Sequence, residues 1–87
     1  MSTQIFQDPE FKVYKAGDGF VVHNIKKPFQ EGHTHVAKYC TCMVMIKLVE
    51  KKLIPKSKSK FFIESLVRIS NDRKYSRIIT RLMDSTN

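Results

Sequence analysis

The sequence predicts an α+β fold in which an N-terminal β-hairpin precedes a three-helix bundle. Three observations support it: two strand-like segments flank a glycine-rich turn, a long segment with few helix breakers follows, and the C-terminal third is amphipathic at helical spacing. At 87 residues the chain has the length of one small domain. We therefore expect residues 1–87 to share a single modest core.

The predicted hairpin pairs residues 10–15 with residues 20–25. The first segment alternates apolar and polar side chains, and the second is apolar and β-branched, as is typical of strands. Between them, Ala16-Gly17-Asp18-Gly19 supplies two glycines that can adopt the positive φ of a tight turn. The two segments are therefore expected to pair directly.

Residues 35–53 are predicted to form the first helix. Pro28 prevents continuation of a central strand, and Gly32 and Thr34 supply a break and an N-cap. The segment is rich in Met, Leu, Lys and Glu, which favour helices. Its apolar side chains fall on two sides, so we expect other elements to cover both. A buried strand over residues 41–49 is the alternative, because periodicity does not separate short apolar segments.

Two more helices are predicted after Pro55. A serine of the basic connector, residues 56–60, caps a second helix over residues 58–70, whose apolar face contains Phe62, Leu66 and Ile69. Asn71 or Asp72 caps a third helix that reaches about Met83.

The third helix has the clearest pattern in the chain. One arc contains Tyr75, Ile78, Ile79 and Leu82. The opposite arc contains Arg73, Lys74, Arg77 and Arg81. We predict that the apolar faces of the second and third helices form one core with Val36, Ile46 and Val49.

The charge of the chain is one-sided. The formal net charge is +8, and residues 51–87 contain ten Lys or Arg against three Asp or Glu, whereas residues 1–50 carry a net charge of only +1. Such a field attracts polyanions, so nucleic acid is the expected partner. A merely solvated helix face is the alternative. The predicted nucleic-acid-binding residues are Lys56, Lys58, Lys60, Arg73, Lys74, Arg77 and Arg81.

The short connection between the last two helices, residues 70–72, is compatible with a helix-turn-helix. On this interpretation the third helix lies in a groove, and duplex DNA is favoured over RNA. Cations of the hairpin region would flank the groove as a wing does, although here the hairpin precedes the helices. These cations are Lys12, Lys15, Lys26 and Lys27.

Metal binding and catalysis are disfavoured. His33 and His35, followed by Cys40 and Cys42, offer four potential zinc ligands, but two helical residues two apart point about 200° away from each other. We therefore expect no metal or other cofactor and two cysteines that behave as small apolar side chains.

No paired carboxylates, phosphate loop or serine elbow accompanies the histidines, so we expect no enzyme. Basic residues near Glu31 and the histidines leave RNA cleavage as the alternative activity.

Several segments resemble those of small uncharacterised proteins from low-GC Gram-positive bacteria and their phages. They are Gly32-His33-Thr34-His35, Ala37-Lys38-Tyr39, Leu53-Ile54-Pro55, Ser65-Leu66-Val67-Arg68-Ile69-Ser70 and Tyr75. This resemblance implies a bacterial or mobile-element setting and no particular activity.

Two function classes follow: a nucleic-acid-binding regulator, and a protein that binds a second copy or a host protein through apolar anchors. The candidate anchors are Phe6, Tyr14, Phe29 and Phe61. The sequence lacks an apolar segment of about 20 residues and a signal-peptide pattern, so we expect a cytoplasmic protein without a membrane partner.

Overall fold

A computed structural model describes residues 3–84 and the side chains of residues 3–83. The chain forms a four-stranded antiparallel sheet followed by three helices, which confirms the α+β class. The strands are β1 (Thr3–Gln7), β2 (Phe11–Ala16), β3 (Gly19–Asn24) and β4 (His33–Val36), and each pairs with the next. The helices are α1 (Tyr39–Glu50), α2 (Lys60–Ile69) and α3 (Arg73–Asp84).

The predicted pairing of the two central strands is confirmed, but the isolated hairpin is wrong. β2 and β3 pair from Phe11 opposite Asn24 to Ala16 opposite Gly19, and the turn between them uses Gly17 at a φ of +58°. β1 and β4 extend this pair into a sheet. β1 escaped the sequence analysis because it is short, mostly exposed and interrupted by a register shift between its second and fourth residues.

The predicted start of the first helix is also wrong, because residues 33–36 form β4. Thr34 and Val36 point into the core, where they pair with Val22 and Phe20 of β3. Alternating burial on a four-residue segment is a strand pattern, and it decides against Thr34 as a helix cap. α1 begins at Tyr39 and contains residues 41–49, so the alternative of a buried strand there is wrong as well.

α1 ends in a hydrogen-bonded C-cap that contains a non-glycine residue with a positive φ. The N–H of Lys52 donates to the carbonyl of Val49, and the N–H of Leu53 donates to that of Leu48. Lys52 has a φ of 56°, a conformation that costs a residue with a Cβ about 1–2 kcal/mol. Its ammonium group offsets part of this cost by pairing with Asp72 at 3.4 Å.

The core lies between one face of the sheet and the helices. The buried strand residues Phe11, Val13, Val22 and Val36 contact buried side chains of all three helices. Because α1 and α2 pack on this sheet and α3 packs on α2, the helices form one layer of a sheet-based core. A separate three-helix bundle is therefore not the architecture.

The predicted core is mostly correct. Its buried members are Val36, Ile46, Val49, Leu66, Ile69, Tyr75 and Ile79. Phe62 and Leu82 are only partly buried, and Ile78 is 43% exposed. At 100° per residue Ile78 lies at the border between the buried and cationic arcs of α3, which explains why its assignment to the core was wrong. On α2 the buried face is centred on Ile63 and Leu66.

Asn24 is a fully buried polar residue that joins the sheet to α2. Its amide nitrogen donates to the carbonyl of Ile69 at 2.8 Å and to Glu10 Oε2 at 2.9 Å, while its Oδ1 accepts from the N–H of Lys26 at 2.9 Å. Both N–H donors of the Asn24 side chain and one of the two lone pairs on its Oδ1 are therefore used. The end of β3 is thereby fixed against the C-terminus of α2.

Replacing Asn24 tests this junction. Asn24→Ala should lower the free energy of unfolding by about 1–3 kcal/mol, because buried polar groups lose their partner. Asn24→Asp should lower it further, since a carboxylate would face the Ile69 carbonyl and the Glu10 carboxylate. Chemical denaturation measures both, with the exposed Asn71→Ala as control, expected within about 0.5 kcal/mol of wild type. Equal midpoints for all three variants would contradict the assignment.

Two carboxyl groups meet where α1 ends beside the loop after β1. A hydrogen bond with Asp8, partial burial and the charges of Asp8 and Glu10 raise the pKa of Glu50 to about 7. Burial acts against ionisation of Asp8, but hydrogen bonds from Glu50 and from the N–H groups of Phe11 and Glu10 hold the pKa of Asp8 below its usual value.

Glu50→Gln should change how stability depends on pH. In the wild type the folded state holds the Glu50 proton more tightly, so its stabilising contribution is full below about pH 4.5 and is lost as the pH rises to about 7. Glu50 is exposed, so solvent screening limits the effect to about 0.5 kcal/mol. Denaturation at pH 4 and pH 8 should show the variant more stable than wild type only at pH 8. The exposed Glu31→Gln is the control; an identical profile for both variants would refute this coupling.

Candidate nucleic-acid interface

The four cations predicted on the third helix share one exposed face of α3. Arg73, Lys74, Arg77 and Arg81 are all exposed, and they lie opposite the buried Tyr75 and Ile79. Arg73 and Arg81 are eight residues apart, which corresponds to about 12 Å along the helix. Within the described side chains, none of the four forms an ion pair with a carboxylate. We call these four residues the α3 cationic face.

The first turn of α3 is held rigidly. Asp72 Oδ1 accepts from the N–H of Lys74 at 2.9 Å and from that of Tyr75 at 3.2 Å, which is an N-cap and confirms the prediction. The Tyr75 N–H and the Lys52 ammonium together hold the pKa of Asp72 below its usual value. Tyr75 donates from its hydroxyl to the carbonyl of Leu53 at 2.7 Å. Arg73 and Lys74 therefore project from a fixed helix end.

A surface cavity of about 480 Å³ adjoins this helix end. Three cations, Lys27, Arg73 and Arg77, line it together with the polar residues Ser70, Asn71 and Ser76. No Asp or Glu is among the described residues that line the cavity. A concave site with three cations and several hydrogen-bond donors suits a phosphate group.

Lys27 reaches this cavity from the loop between β3 and β4. Its ammonium group donates to the carbonyls of Arg68 at 2.9 Å and Ser70 at 3.2 Å, at the negative end of α2. The loop closes tightly here, because a Cβ on Gly32 would lie 2.6 Å from the Cβ of Lys27. Lys27, which was predicted to flank a groove as a wing does, lies beside α2 and α3.

The connector lysines are not gathered at this cavity. Lys56, Lys58 and Lys60 are exposed, but none lines the cavity beside Lys27. Lys56 lines a different groove of about 560 Å³, between α1, the connector and α2. That groove is mainly apolar, with Val44, Leu48, Leu53, Ile54 and Phe62 in its wall. The seven predicted residues are therefore divided between at least two surfaces.

The outer face of the sheet carries a cluster that the sequence analysis missed. The pairing register puts Tyr14, Val21 and His35 in one row and Lys12, His23 and His33 in the next. Phe29, from the β3–β4 loop, stacks on His33 with ring centroids 4.2 Å apart and an interplanar angle of 8°. His23 contacts Phe29, and His35 contacts His33, each at 5.2 Å between centroids. We call Phe29, His23, His33 and His35 the ring cluster.

Backbone carbonyls fix two of these histidines. His33 Nδ1 lies 2.5 Å from the carbonyl of Phe29, and His23 Nε2 lies 2.9 Å from that of Lys27. Since a carbonyl only accepts, both nitrogens carry a proton in these bonds. Alternating histidines in residues 33–36 would have indicated a common strand face, had the segment not been assigned to a helix.

The histidines and cysteines do not come together. Cys40 is exposed, whereas Cys42 is buried in the core, where burial raises the pKa of its thiol to about 11. Within residues 3–84 no three His, Cys, Asp or Glu side chains are grouped so that they could hold a metal ion. The same part of the chain contains no helix with the length and apolar character needed to cross a membrane.

Comparison of the chain with protein-family models, with curated proteins and with solved structures gives no match. The chemistry of these surfaces is therefore the basis for assigning a function.

Proposed function

We propose that the protein binds nucleic acid, and that the α3 cationic face and Lys27 contact the phosphate backbone. The observation that carries this proposal is the cavity lined by Lys27, Arg73 and Arg77 beside a helix face of four unpaired cations among the described side chains. Each phosphate neutralised there would release condensed counterions, which favours binding without base recognition. The predicted regulatory role and bacterial or phage setting belong to the same proposal.

The preference for duplex DNA depends on a helix-turn-helix arrangement and stays a prediction. α2 and α3 are joined by residues 70–72, and α3 turns its cations outward, which is the placement a recognition helix needs. Arg77 or Arg81 would then be the side chain that reaches a guanine edge.

Arg77→Ala combined with Arg81→Ala tests the α3 cationic face. Fluorescence anisotropy at about 50–200 mM salt, a range in which electrostatic binding changes steeply, should show weaker binding and a salt slope reduced by about 1–2. Stability should stay within about 0.5 kcal/mol of wild type, because both side chains are exposed.

Lys47→Ala combined with Lys51→Ala is the charge-matched control, in the last turn of α1 and at its C-cap. Both residues are exposed and neither lines the cavity beside α3, so this variant should keep most of the affinity. Equal losses in the two double variants would mean that only net charge matters. If the wild type retains no duplex or single-stranded nucleic acid at about 50 mM salt, the proposal is wrong.

A second candidate function is protein binding through the apolar groove. Val44 and Ile54 are 51% and 53% exposed in its wall, and Lys47 and Lys56 line the same groove. An apolar groove with lysines at its rim suits an acidic amphipathic helix and disfavours a second copy of this basic chain.

Val44→Ser combined with Ile54→Ser tests the groove. Titration with acidic amphipathic model helices should give saturable binding to wild type and a loss of about tenfold or more in the variant, as for interface anchors. The variant should retain nucleic-acid binding. Equal peptide affinities for wild type and variant would exclude the groove as the binding site.

A further inference from the structure

The outer face of the sheet combines flat rings with neighbouring cations. Both helices that pack on the sheet cover its inner face, and the outer rows contain exposed or half-buried side chains, apart from Val21. Phe29 is 47% exposed and His35 is exposed, so parts of the ring cluster are open to a ligand. Lys12 shares a row with His23 and His33 and adds a cation to this face.

A short series of contacts joins the ring cluster to the proposed phosphate site. Arg68 donates from Nε to the carbonyl of His33 at 3.1 Å, and Lys27 donates to the carbonyl of Arg68 at 2.9 Å. Arg68 also lines a cavity of about 280 Å³ with His33, His35 and Phe61, where Glu64 is the only carboxylate among the described lining residues. From Lys27 the cations continue to Arg73 and Arg77.

We infer that the preferred ligand is a single-stranded nucleic acid, an inference that rests on the proposed binding of nucleic acid and replaces the predicted preference for duplex DNA. Its phosphates contact Arg68, Lys27, Arg73 and Arg77, and its bases stack against the ring cluster and His35 in particular. Aromatic rings beside a cationic track are the usual means of holding unpaired bases. In a duplex the base faces are stacked on each other, so rings on a shallow sheet face have nothing to stack against.

The sheet geometry supports this occupant over a protein or a second copy. Two copies would bring together two surfaces that each carry the cations Lys12 and Arg68, and like charges disfavour such contact. Strand pairing places the three histidines of the ring cluster in two rows, and Phe29 stacks on His33, so the rings are fixed at low entropic cost before a ligand arrives. A polyanion with exposed flat bases matches both properties.

Phe29→Ala and His35→Ala, made separately, test the inference. Anisotropy titrations use fluorescein-labelled single-stranded RNA, single-stranded DNA and duplex DNA of equal length. Wild type should bind at least one single strand more tightly than the duplex, and each variant should lose about 5- to 150-fold in single-strand affinity. The salt slope should stay unchanged, because no phosphate contact is removed.

Matched variants distinguish the loss of base stacking from a general loss of folded structure. Phe29→Trp should restore most of the affinity, whereas Phe29→Leu, which keeps the apolar bulk without a ring, should not. Tyr39→Ala removes a partly exposed aromatic residue of α1 that contacts Phe20, and it should leave single-strand affinity unchanged. Thermal denaturation establishes that each variant is folded; the exposed His35 carries the test by itself if Phe29→Ala unfolds the chain.

The outcomes distinguish the two proposals. Wild type that binds duplex more tightly than either single strand, with unchanged single-strand affinity in the ring variants, overturns this inference and leaves the proposed function intact. Wild type that binds none of the three probes overturns both. Loss confined to single-strand binding in the ring variants supports the inference, and the RNA and DNA arms identify which strand is preferred.

Discussion

The attachment of the C-terminus of α2 to the sheet is the constraint on which the rest of the structure depends. Asn24 binds the last carbonyl of α2, and Lys27 binds two more carbonyls nearby, so the end of β3 and the following loop hold the helix in place. Thr34 and Ser65 add a buried hydroxyl pair at 2.9 Å between β4 and α2. These polar contacts cross an otherwise apolar interface, and they fix the position of the helix because a shift would leave buried polar groups without their partners.

The same contacts assemble the candidate binding surface. The β3–β4 loop places the Lys27 ammonium group against α2. The same loop places Phe29 on the outer face of the sheet, where its ring stacks on His33. Arg68 lies in the last turn of α2, and its side chain donates a hydrogen bond to the carbonyl of His33. The contacts that stabilise this small domain therefore also bring cations of α2 and of the β3–β4 loop next to the rings of the sheet. α3 follows after residues 70–72, so its cations lie beside the same junction.

The charged side chains discussed above form three groups: an ion pair, a cluster of acids and a face of cations. Lys52 and Asp72 neutralise each other at the start of α3, and Asp8, Glu10 and Glu50 gather near the end of α1. Among the described side chains, no member of the α3 cationic face forms an ion pair with a carboxylate. Repulsion among its members is tolerated because they are solvated, and the proposed binding of a polyanion would relieve it. Solvation of the unpaired cations therefore lets a small domain carry a net charge of +8.

The sequence by itself determined the α+β class, the β2–β3 pair, three helices and the amphipathic α3, because these follow from local periodicity, turn residues and caps. Only the tertiary structure decided that residues 33–36 form a strand, that Lys27 joins the α3 site, that Arg68 binds the His33 carbonyl, and that the histidines share a face with Phe29. A four-residue segment with polar alternation has no decisive local preference, so pairing with β3 fixes it. Lys27 and Arg77 line one cavity because of long-range packing, which no spacing along the chain encodes.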